Sequence, residues 1–250
     1  LAMAAAPPSI SAWQRAVLAV KQQGATSKIK GSCFVIDAQQ GLLWTCSHVV
    51  GRLVGTIWQV GSAAAPGQSV TWMYEAEVVY TTPEQPGLDA ALLRITTRIP
   101  AGGALLPLTH ADGAPLPALP LGDDAALRLP GDEPAILIGY PGATQVVTPA
   151  VGVYANRKDY AAMQPPELGG VFLLTDSTML PGHSGGPGLN QRGEVVGWNV
   201  RHAEVKVYTP GGFHPTLTVA CGINELRPVS ALIAELQGPA AVAAFGAGGA

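Results

Sequence analysis

Residues 182–187 cannot form regular helix or a central strand, because glycines lie on both sides of Ser184 and a proline closes the run GHSGGP. Glycine lets the backbone turn tightly and leaves its amide N–H groups uncovered by side chains. A nucleophilic serine requires such a turn, since its hydroxyl must stand at the tip with N–H donors beside it for a developing oxyanion. On this pattern alone, a glycine-rich surface turn explains the residues equally well.

Two residues upstream supply what a serine nucleophile lacks. His48 follows a predicted hairpin and Asp89 stands at the head of a predicted strand, so the order along the chain is His48, Asp89, Ser184. Near neutral pH a histidine can take the serine proton, provided that a carboxylate fixes its tautomer and stabilises the imidazolium. Each residue taken singly is more often structural. Their joint occurrence, each in its own local signature, predicts a catalytic triad.

Two rival hypotheses remain beside the triad. The turn also fits Gly-x-Ser-x-Gly, the nucleophile elbow of α/β-hydrolase esterases. That fold needs its acid after the serine and a helix starting there, but no aspartate follows Ser184, and Pro187 would disrupt the helix. The other rival is a catalytically silent, protease-like module that binds peptides, because a triad in the sequence does not prove an assembled site.

The composition excludes several classes of partner. The 250 residues are 48% hydrophobic and 12% charged with a net charge of −3, and no apolar run is long enough to predict a membrane span. The 14 Lys and Arg residues form no basic cluster, so nucleic acid and anionic membrane surfaces are not expected partners.

The three cysteines, Cys33, Cys46 and Cys221, are odd in number and lack metal-ligand spacing. At least one is therefore unpaired, and we expect neither a disulfide scaffold, nor a metal site, nor a cofactor. The compartment stays unknown. A small-x-small run at residues 2–4 is compatible with an organellar or otherwise processed location, although no charged or apolar leader precedes it.

Glycine and proline are abundant, with 31 and 22 residues, which favours many short strands over long helices. Residues 12–20 could be either a short helix or an opening strand. Predicted strands cover residues 31–37, 42–46, 55–60, 69–73, 75–80, 88–95, 135–138, 145–148, 171–175, 194–200 and 216–223. Apolar residues at i, i+3, i+4 and i+7 predict a closing helix over 229–236, with Pro228 in its first turn and Gly238 at its stop.

Residues 100–120 consist mostly of Pro, Gly, Ala and Leu. We interpret this stretch as a linker that marks a domain boundary, with an ordinary long surface loop as the alternative. The strand-rich halves on either side predict antiparallel barrels or sandwiches.

Three segments resemble the motifs of trypsin-like serine proteases. Residues 45–50 (TCSHVV) resemble the histidine motif, residues 89–93 (DAALL) the aspartate strand, and residues 182–187 the serine motif. Within that superfamily, residues 31–36 (GSCFVI) and 175–184 (TDSTMLPGHS) are similar to the Deg/HtrA branch.

This resemblance implies an all-β protein of two antiparallel six-stranded barrels with a C-terminal helix. The first barrel would span residues 10–105 and the second, with the helix, residues 116–238, leaving residues 1–9 and 239–250 as disordered tails. We expect no PDZ module within this sequence after the protease domain. Polypeptide substrates are implied, and a homotrimer is suggested.

The resemblance also assigns roles. His48 would be general base and then general acid, Asp89 would orient it, and the backbone N–H groups of Gly182 and Ser184 would form the oxyanion hole. The residues expected to line the specificity pocket carry no charge: Thr178, Met179, Trp198, Asn199 and Val200. We therefore expect a small or medium apolar residue before the cleaved bond.

His183 departs from the family pattern, which has Asn or Asp just before the serine. Two interpretations stay open. Either only the backbone of His183 is used, or its side chain affects the oxyanion hole or the response to pH.

Overall fold

The structure, a computed structural model, describes residues 9–24, 28–64, 68–82, 88–100, 105–130, 133–159, 170–208, 215–239 and 242. The tails predicted for residues 1–9 and 239–250 fall almost wholly outside these residues, so their predicted disorder is untested.

Strands dominate the described residues, and three α-helices lie before, between and after them. The helices are α1 (Ile10–Gln14), α2 (Ser47–Val50) and α3 (Val229–Leu236). The first six strands are β1 (Val17–Gln22), β2 (Gly31–Asp37), β3 (Leu42–Thr45), β4 (Ile57–Ser62), β5 (Thr71–Thr81) and β6 (Ala91–Arg98). The next six are β7 (Pro134–Gly139), β8 (Thr148–Asp159), β9 (Val171–Thr175), β10 (Pro187–Leu189), β11 (Val195–Tyr208) and β12 (Pro215–Pro228).

The strands close into two antiparallel barrels. The first has the order β1-β2-β3-β6-β5-β4 and the second β10-β11-β12-β9-β8-β7, each with its end strands paired to one another. Closure pairs the end strands of each barrel and so removes the exposed edges of the sheet. The predicted all-β fold of two six-stranded barrels with a C-terminal helix is therefore confirmed.

Apolar side chains meet both within and between the barrels. In the first barrel Phe34 pairs with Trp44 and Val35 with Leu43 across the β2–β3 hairpin, and all four are buried. The Trp44 ring also makes an edge contact with Trp198 of the second barrel, with centroids 5.7 Å apart. Such aromatic pairs bury a large apolar area and hold a specific geometry, so this contact helps to fix one barrel on the other.

Two strand predictions in the sheets were wrong. Residues 69–73 and 75–80 are parts of a single strand, β5, and nothing in the three residues Met73, Tyr74 and Glu75 could break it. The strand predicted for 145–148 ends where β8 begins, and β8 continues through Pro149 and Gly152, two residue types that are uncommon inside strands. Gly152 is instead required within β8, since a Cβ there would collide with the Asp176 carboxylate and the Ser177 backbone.

Three further predictions concern where helices and strands begin and end. Residues 12–20, left open between helix and strand, contain both, since α1 ends at Gln14 and β1 starts at Val17. The strand predicted for 88–95 starts only at Ala91, so Asp89 lies outside it. The closing helix spans Val229–Leu236 as predicted, with Pro228 at its N-cap rather than in its first turn.

The described part of the predicted linker, residues 105–120, packs on the barrels. Leu108 and Leu116 are buried, and the Leu119 N–H donates to the Val35 carbonyl of β2. The domain limits 10–105 and 116–238 stay predictions. Among the described helices, the longest (α3) has eight residues, and none is long and apolar enough to cross a membrane.

Candidate active site

His48 lies on α2, a single turn that follows directly from β3. The neighbouring residues Ser47 and Val49 are buried, whereas the His48 side chain is 45% exposed. Burial of its neighbours fixes the turn and leaves the imidazole at the surface, where it can meet a substrate.

The Asp89 carboxylate accepts three hydrogen bonds, two from His48 and one from Ser47. Oδ2 is 2.5 Å from His48 Nδ1, while Oδ1 accepts from the His48 N–H at 2.9 Å and from the Ser47 hydroxyl at 2.7 Å. Burial raises the pKa of Asp89, but the hydrogen bonds and charge of His48 and the Ser47 bond outweigh it, so the pKa lies below its usual value. An ionised carboxylate makes Nδ1 the donor and leaves Nε2 free to accept a proton.

Asp89 adopts a left-handed backbone conformation, with φ of 54°. Such values are uncommon in residues other than glycine, although Asp tolerates them better than most. This conformation is incompatible with a strand and explains why β6 begins two residues later.

Ser184 lies in a turn held by both barrels. Its carbonyl accepts from the Ser32 N–H of β2 at 2.8 Å, and the Gly185 N–H donates to the Asn199 carbonyl of β11 at 2.8 Å. Gly185 has φ of +82°, and a Cβ there would collide with Thr45 and with the Ser32 carbonyl. The glycine is needed because β2 and β3 press directly on the serine turn.

The Ser184 hydroxyl donates to the Val200 carbonyl of β11 at 3.4 Å. Among the described residues, no hydrogen bond joins it to His48. Rotation about the Ser184 Cα–Cβ bond would redirect the hydroxyl, and catalytic hydrogen bonds often tighten only when substrate is bound.

Gly182 lies in a turn formed by residues 180–183, in which the His183 N–H donates to the Leu180 carbonyl at 2.9 Å. Gly182 has φ of +107°, and its carbonyl accepts from the Ser32 hydroxyl at 2.7 Å. Neither the Gly182 nor the Ser184 N–H donates to an acceptor in the described part of the chain, so both are available to an oxyanion.

The His183 side chain is fully enclosed in the same turn. It is 1% exposed, and its Nδ1 accepts from the Leu180 N–H at 3.1 Å. Burial lowers the pKa of His183 to about 4, so the imidazole is neutral at neutral pH. The His183 side chain therefore makes a hydrogen bond of its own, which fits the interpretation in which the side chain, and not only the backbone, is used.

The residues predicted to line the specificity pocket occupy different environments. Thr178 is exposed and Met179 is buried among apolar side chains. Trp198 is fully buried with its indole N–H 3.4 Å from the Asp89 carbonyl, and Asn199 is fully buried with its amide against the His183 carbonyl. Val200 comes nearest to the reacting group, through its carbonyl on Ser184. The lining of the pocket stays a prediction.

The described residues offer one cluster with potential metal ligands beside the site. The ligand atoms of Cys46, His48 and Asp89 lie within 4.8 Å of one another. Metals bind the thiolate, whereas burial and the Asp89 charge raise the pKa of Cys46 well above its usual value. The Cys46 thiol instead contacts the Asn199 carbonyl at 3.1 Å, so this cluster fits a metal poorly.

Three supporting residues were missed from the sequence. Ser32 and Ser47 lie inside segments already recognised, so their motifs were the available signal. Arg227 gave none, because it stands in a strand segment with no catalytic motif around it. Its guanidinium stacks 3.9 Å from the Phe172 ring centroid, and burial with Arg201 nearby lowers the pKa of Arg227 to about 10 against the opposing effect of Asp89.

His48 and Asp89 lie on the first closed barrel and Ser184 lies on the second. This arrangement is typical of trypsin-like peptidases, and comparison with known proteins agrees with that class. Residues 31–197, more than half of the chain, match the trypsin-like peptidase domain. The chain belongs to this family.

The similar curated proteins are serine proteases of the Deg/HtrA type. Mitochondrial serine protease HTRA2 of Bos taurus is 32% identical over 171 residues, which cover 68% of this chain and 31% of that protein. A probable periplasmic DegP-like serine endoprotease of Pseudomonas fluorescens is 27% identical over 205 residues, or 80% of this chain and 34% of that protein. The chain thus spans about a third of the length of these relatives.

A solved structure is similar in fold. The HtrA-type protease AlgW, solved with a tripeptide, gives a TM-score of 0.59 at 21% identity, covering 91% of this chain and 62% of that one. The resemblance to the Deg/HtrA branch, inferred from the motifs, is confirmed.

Proposed function

We propose that this protein is a serine endopeptidase of the Deg/HtrA type, which hydrolyses peptide bonds of polypeptides through an acyl-enzyme. The observation that carries the proposal is the Asp89 carboxylate, which holds both the ring and the backbone N–H of His48. Membership of the trypsin-like peptidase family supports the same reaction.

The chemistry follows from the donors and acceptors in place. His48 Nε2 takes the proton of the Ser184 hydroxyl as Oγ attacks the substrate carbonyl carbon. The oxyanion is stabilised by the N–H groups of Gly182 and Ser184. His48 then gives its proton to the leaving amine as the C–N bond breaks, and a water activated by His48 hydrolyses the ester and restores Ser184.

A second candidate, the catalytically silent peptide-binding module, has one observation in its favour. The Ser184 hydroxyl donates to the Val200 carbonyl rather than to His48. This bond is long, and a single side-chain rotation removes it, so we favour a resting site that substrate completes.

The proposal extends to substrate and assembly. We expect an uncharged pocket built around Thr178, Met179 and Val200 to accept a small or medium apolar residue before the cleaved bond.

A homotrimer is expected from the resemblance to the same branch of the family and can be checked by light scattering of the purified protein.

The test is digestion of unfolded casein by the purified wild type and by Ser184→Ala, with the fragments sequenced by mass spectrometry. We expect cleavage by the wild type after small or medium apolar residues and none by Ser184→Ala. Equal cleavage by the two proteins would refute the proposed nucleophile, and cleavage mainly after Lys or Arg would refute the proposed pocket.

A further inference from the structure

The imidazole of His183 occupies a closed position beside the candidate oxyanion donors. The His183 N–H and the Leu180 carbonyl form one bond of the turn, at 2.9 Å, and the Leu180 N–H and His183 Nδ1 form a second, at 3.1 Å. Both backbone polar groups of Leu180, its N–H and its carbonyl, are therefore hydrogen-bonded to His183, and these two bonds close the turn of residues 180–183. Only the second of these bonds depends on a side chain.

The rest of the turn is anchored to the body of the protein. The Pro181 carbonyl accepts from the Gly142 N–H at 2.9 Å, and the Gly182 carbonyl accepts from the Ser32 hydroxyl at 2.7 Å. Each of these bonds holds one carbonyl oxygen of the turn, and neither involves Leu180. The start of the turn, at Leu180, is held by His183, and Leu180 itself is 41% exposed. Loss of the Nδ1 contact would therefore free the exposed end of the turn.

The contact requires an unprotonated Nδ1, since two N–H groups cannot form a hydrogen bond with each other. The proton of the neutral ring is therefore on Nε2. That atom is buried with no hydrogen-bond partner among the described residues, although the Thr148 backbone lies near enough to oppose part of the pKa shift.

The groups found against the ring in the described part of the chain are uncharged. The residues packed against it are Gly139 at the end of β7, Thr148 at the start of β8, Leu180 of its own turn, and Ser32 of β2, whose hydroxyl lies beside Gly139. None is ionisable. Gly139 has to be a glycine because a Cβ would collide with the His183 ring, so the backbone of β7 is shaped around this imidazole.

We propose that His183 is a positioning residue of the active site, whose neutral imidazole holds the turn of residues 180–183 closed and thereby aims the Gly182 N–H at the oxyanion. The inference rests on the proposed peptidase function. Since the oxyanion forms only during reaction, the turn stabilises the transition state more than the bound substrate. Loss of the acceptor lowers kcat and leaves KM nearly unchanged.

Two substitutions of His183 distinguish a role as hydrogen-bond acceptor from a role in packing alone. His183→Phe keeps a ring of similar size without an acceptor, and His183→Asn keeps an acceptor oxygen with less volume. With a peptide substrate taken from the casein digest, we expect His183→Phe to lower kcat about 100-fold, the loss typical of one oxyanion donor, with KM changed less than threefold. His183→Asn should recover kcat to within about tenfold of wild type, although its packing is poorer.

The opposite ranking, with His183→Phe as active as wild type and His183→Asn impaired, would mean that the ring acts only through its volume and would overturn the proposal. The proposal would also be overturned if both variants lost kcat to the same extent and both had lower melting temperatures, because general destabilisation would then explain the loss of kcat.

A measurement on an unsubstituted imidazole covers the case in which His183→Phe fails to fold. Nitrogen NMR of the Ser184→Ala protein should report the Nε2–H tautomer of His183, with slow hydrogen exchange at the Leu180 amide. A Nδ1–H tautomer would contradict the proposal. If the wild type cleaves nothing, the peptidase function fails, and the NMR result still decides whether the His183 contact exists.

Discussion

Asp89 is the residue on which the candidate site depends most. It accepts three hydrogen bonds from His48 and Ser47, and it does so from a left-handed backbone conformation. Strain of this kind persists only where surrounding contacts hold it in place. The hydrogen bonds that hold Asp89 in this conformation also orient the His48 imidazole. The backbone conformation of Asp89 is therefore explained by the candidate site and not by strand β6.

Asp89→Asn tests this role. The amide can still occupy the site, but its NH2 group favours the wrong His48 tautomer, so we expect kcat to fall roughly 10⁴-fold by analogy with other triads. Thermal unfolding should change little. Retention of more than a tenth of the wild-type kcat would show that another group orients His48.

His183 makes stability depend on pH. Its pKa falls from 6.5 to about 4 on folding, so between these values the unfolded chain binds more protons than the folded one. The contribution is complete above pH 6.5 and is lost as pH falls towards 4, by up to about 3 kcal/mol in the free energy of unfolding.

Denaturant unfolding of wild type and His183→Asn at pH 7 and pH 4.5 checks this expectation. The wild type should lose more stability than the variant over that interval. An equal loss in both proteins would mean that other groups dominate the acid response.

At the scale of elements, turns and not strands carry the site. His48 stands on a one-turn helix, Asp89 before a strand, and Ser184 between β9 and β10. The strands supply rigid ends, and glycines allow the connecting backbone to approach them. Gly182 combines φ of +107° with a position where a Cβ would collide with the Tyr140 carbonyl and the Gly142 amide.

Gly182→Ala should therefore disrupt the oxyanion turn. We expect at least a 100-fold loss of kcat, as for removal of one oxyanion donor, together with a lower melting temperature. Gly113→Ala is a matched control, because Gly113 has φ of +84° with no atom near its Cβ position. It should cost about 1 kcal/mol from backbone conformation alone and leave kcat unchanged. Equal losses in the two variants would contradict the account of Gly182.

Many of the strands and turns could be predicted from the sequence, but those whose form depends on contacts between distant residues could not. The motifs around His48 and Asp89 identified two side chains that the fold joins by hydrogen bonds, and the motif around Ser184 identified a turn that packs against β2 and β3. The bounds of β8 could not be predicted, because Gly152 is ordinarily a strand breaker and its purpose depends on Asp176, 24 residues away. The left-handed Asp89 was likewise hidden, since its conformation follows from hydrogen bonds to His48 and Ser47 and not from local propensity.

At the scale of the molecule, the two barrels have to dock before the site exists. Ser32 of β2 spans the junction, because its hydroxyl donates to the Gly182 carbonyl at 2.7 Å and accepts from the Tyr140 N–H at 2.8 Å. Cys46 and Asn199 form a further link beside it. The first barrel thus shapes the oxyanion turn of the second.

Ser32→Ala should weaken both docking and catalysis. Removing the hydroxyl leaves the buried Tyr140 N–H and the partly buried Gly182 carbonyl without their partner. This costs about 1–3 kcal/mol of stability, and kcat should fall more than tenfold. Ser62→Ala is the control, since this buried hydroxyl bonds Met73 and Ala111 within and beside the first barrel. It should reduce stability alone. A similar kcat for both variants would argue against barrel docking as the support of the turn.

The most direct test of the central claim is labelling with a fluorophosphonate probe, followed by peptide mapping of the adduct. The account predicts one covalent phosphonyl adduct on Ser184 of the wild type, strongly slowed in His48→Ala and abolished in Ser184→Ala. An adduct on another residue, or a folded wild type that stays unlabelled while it cleaves casein, would contradict the proposed triad.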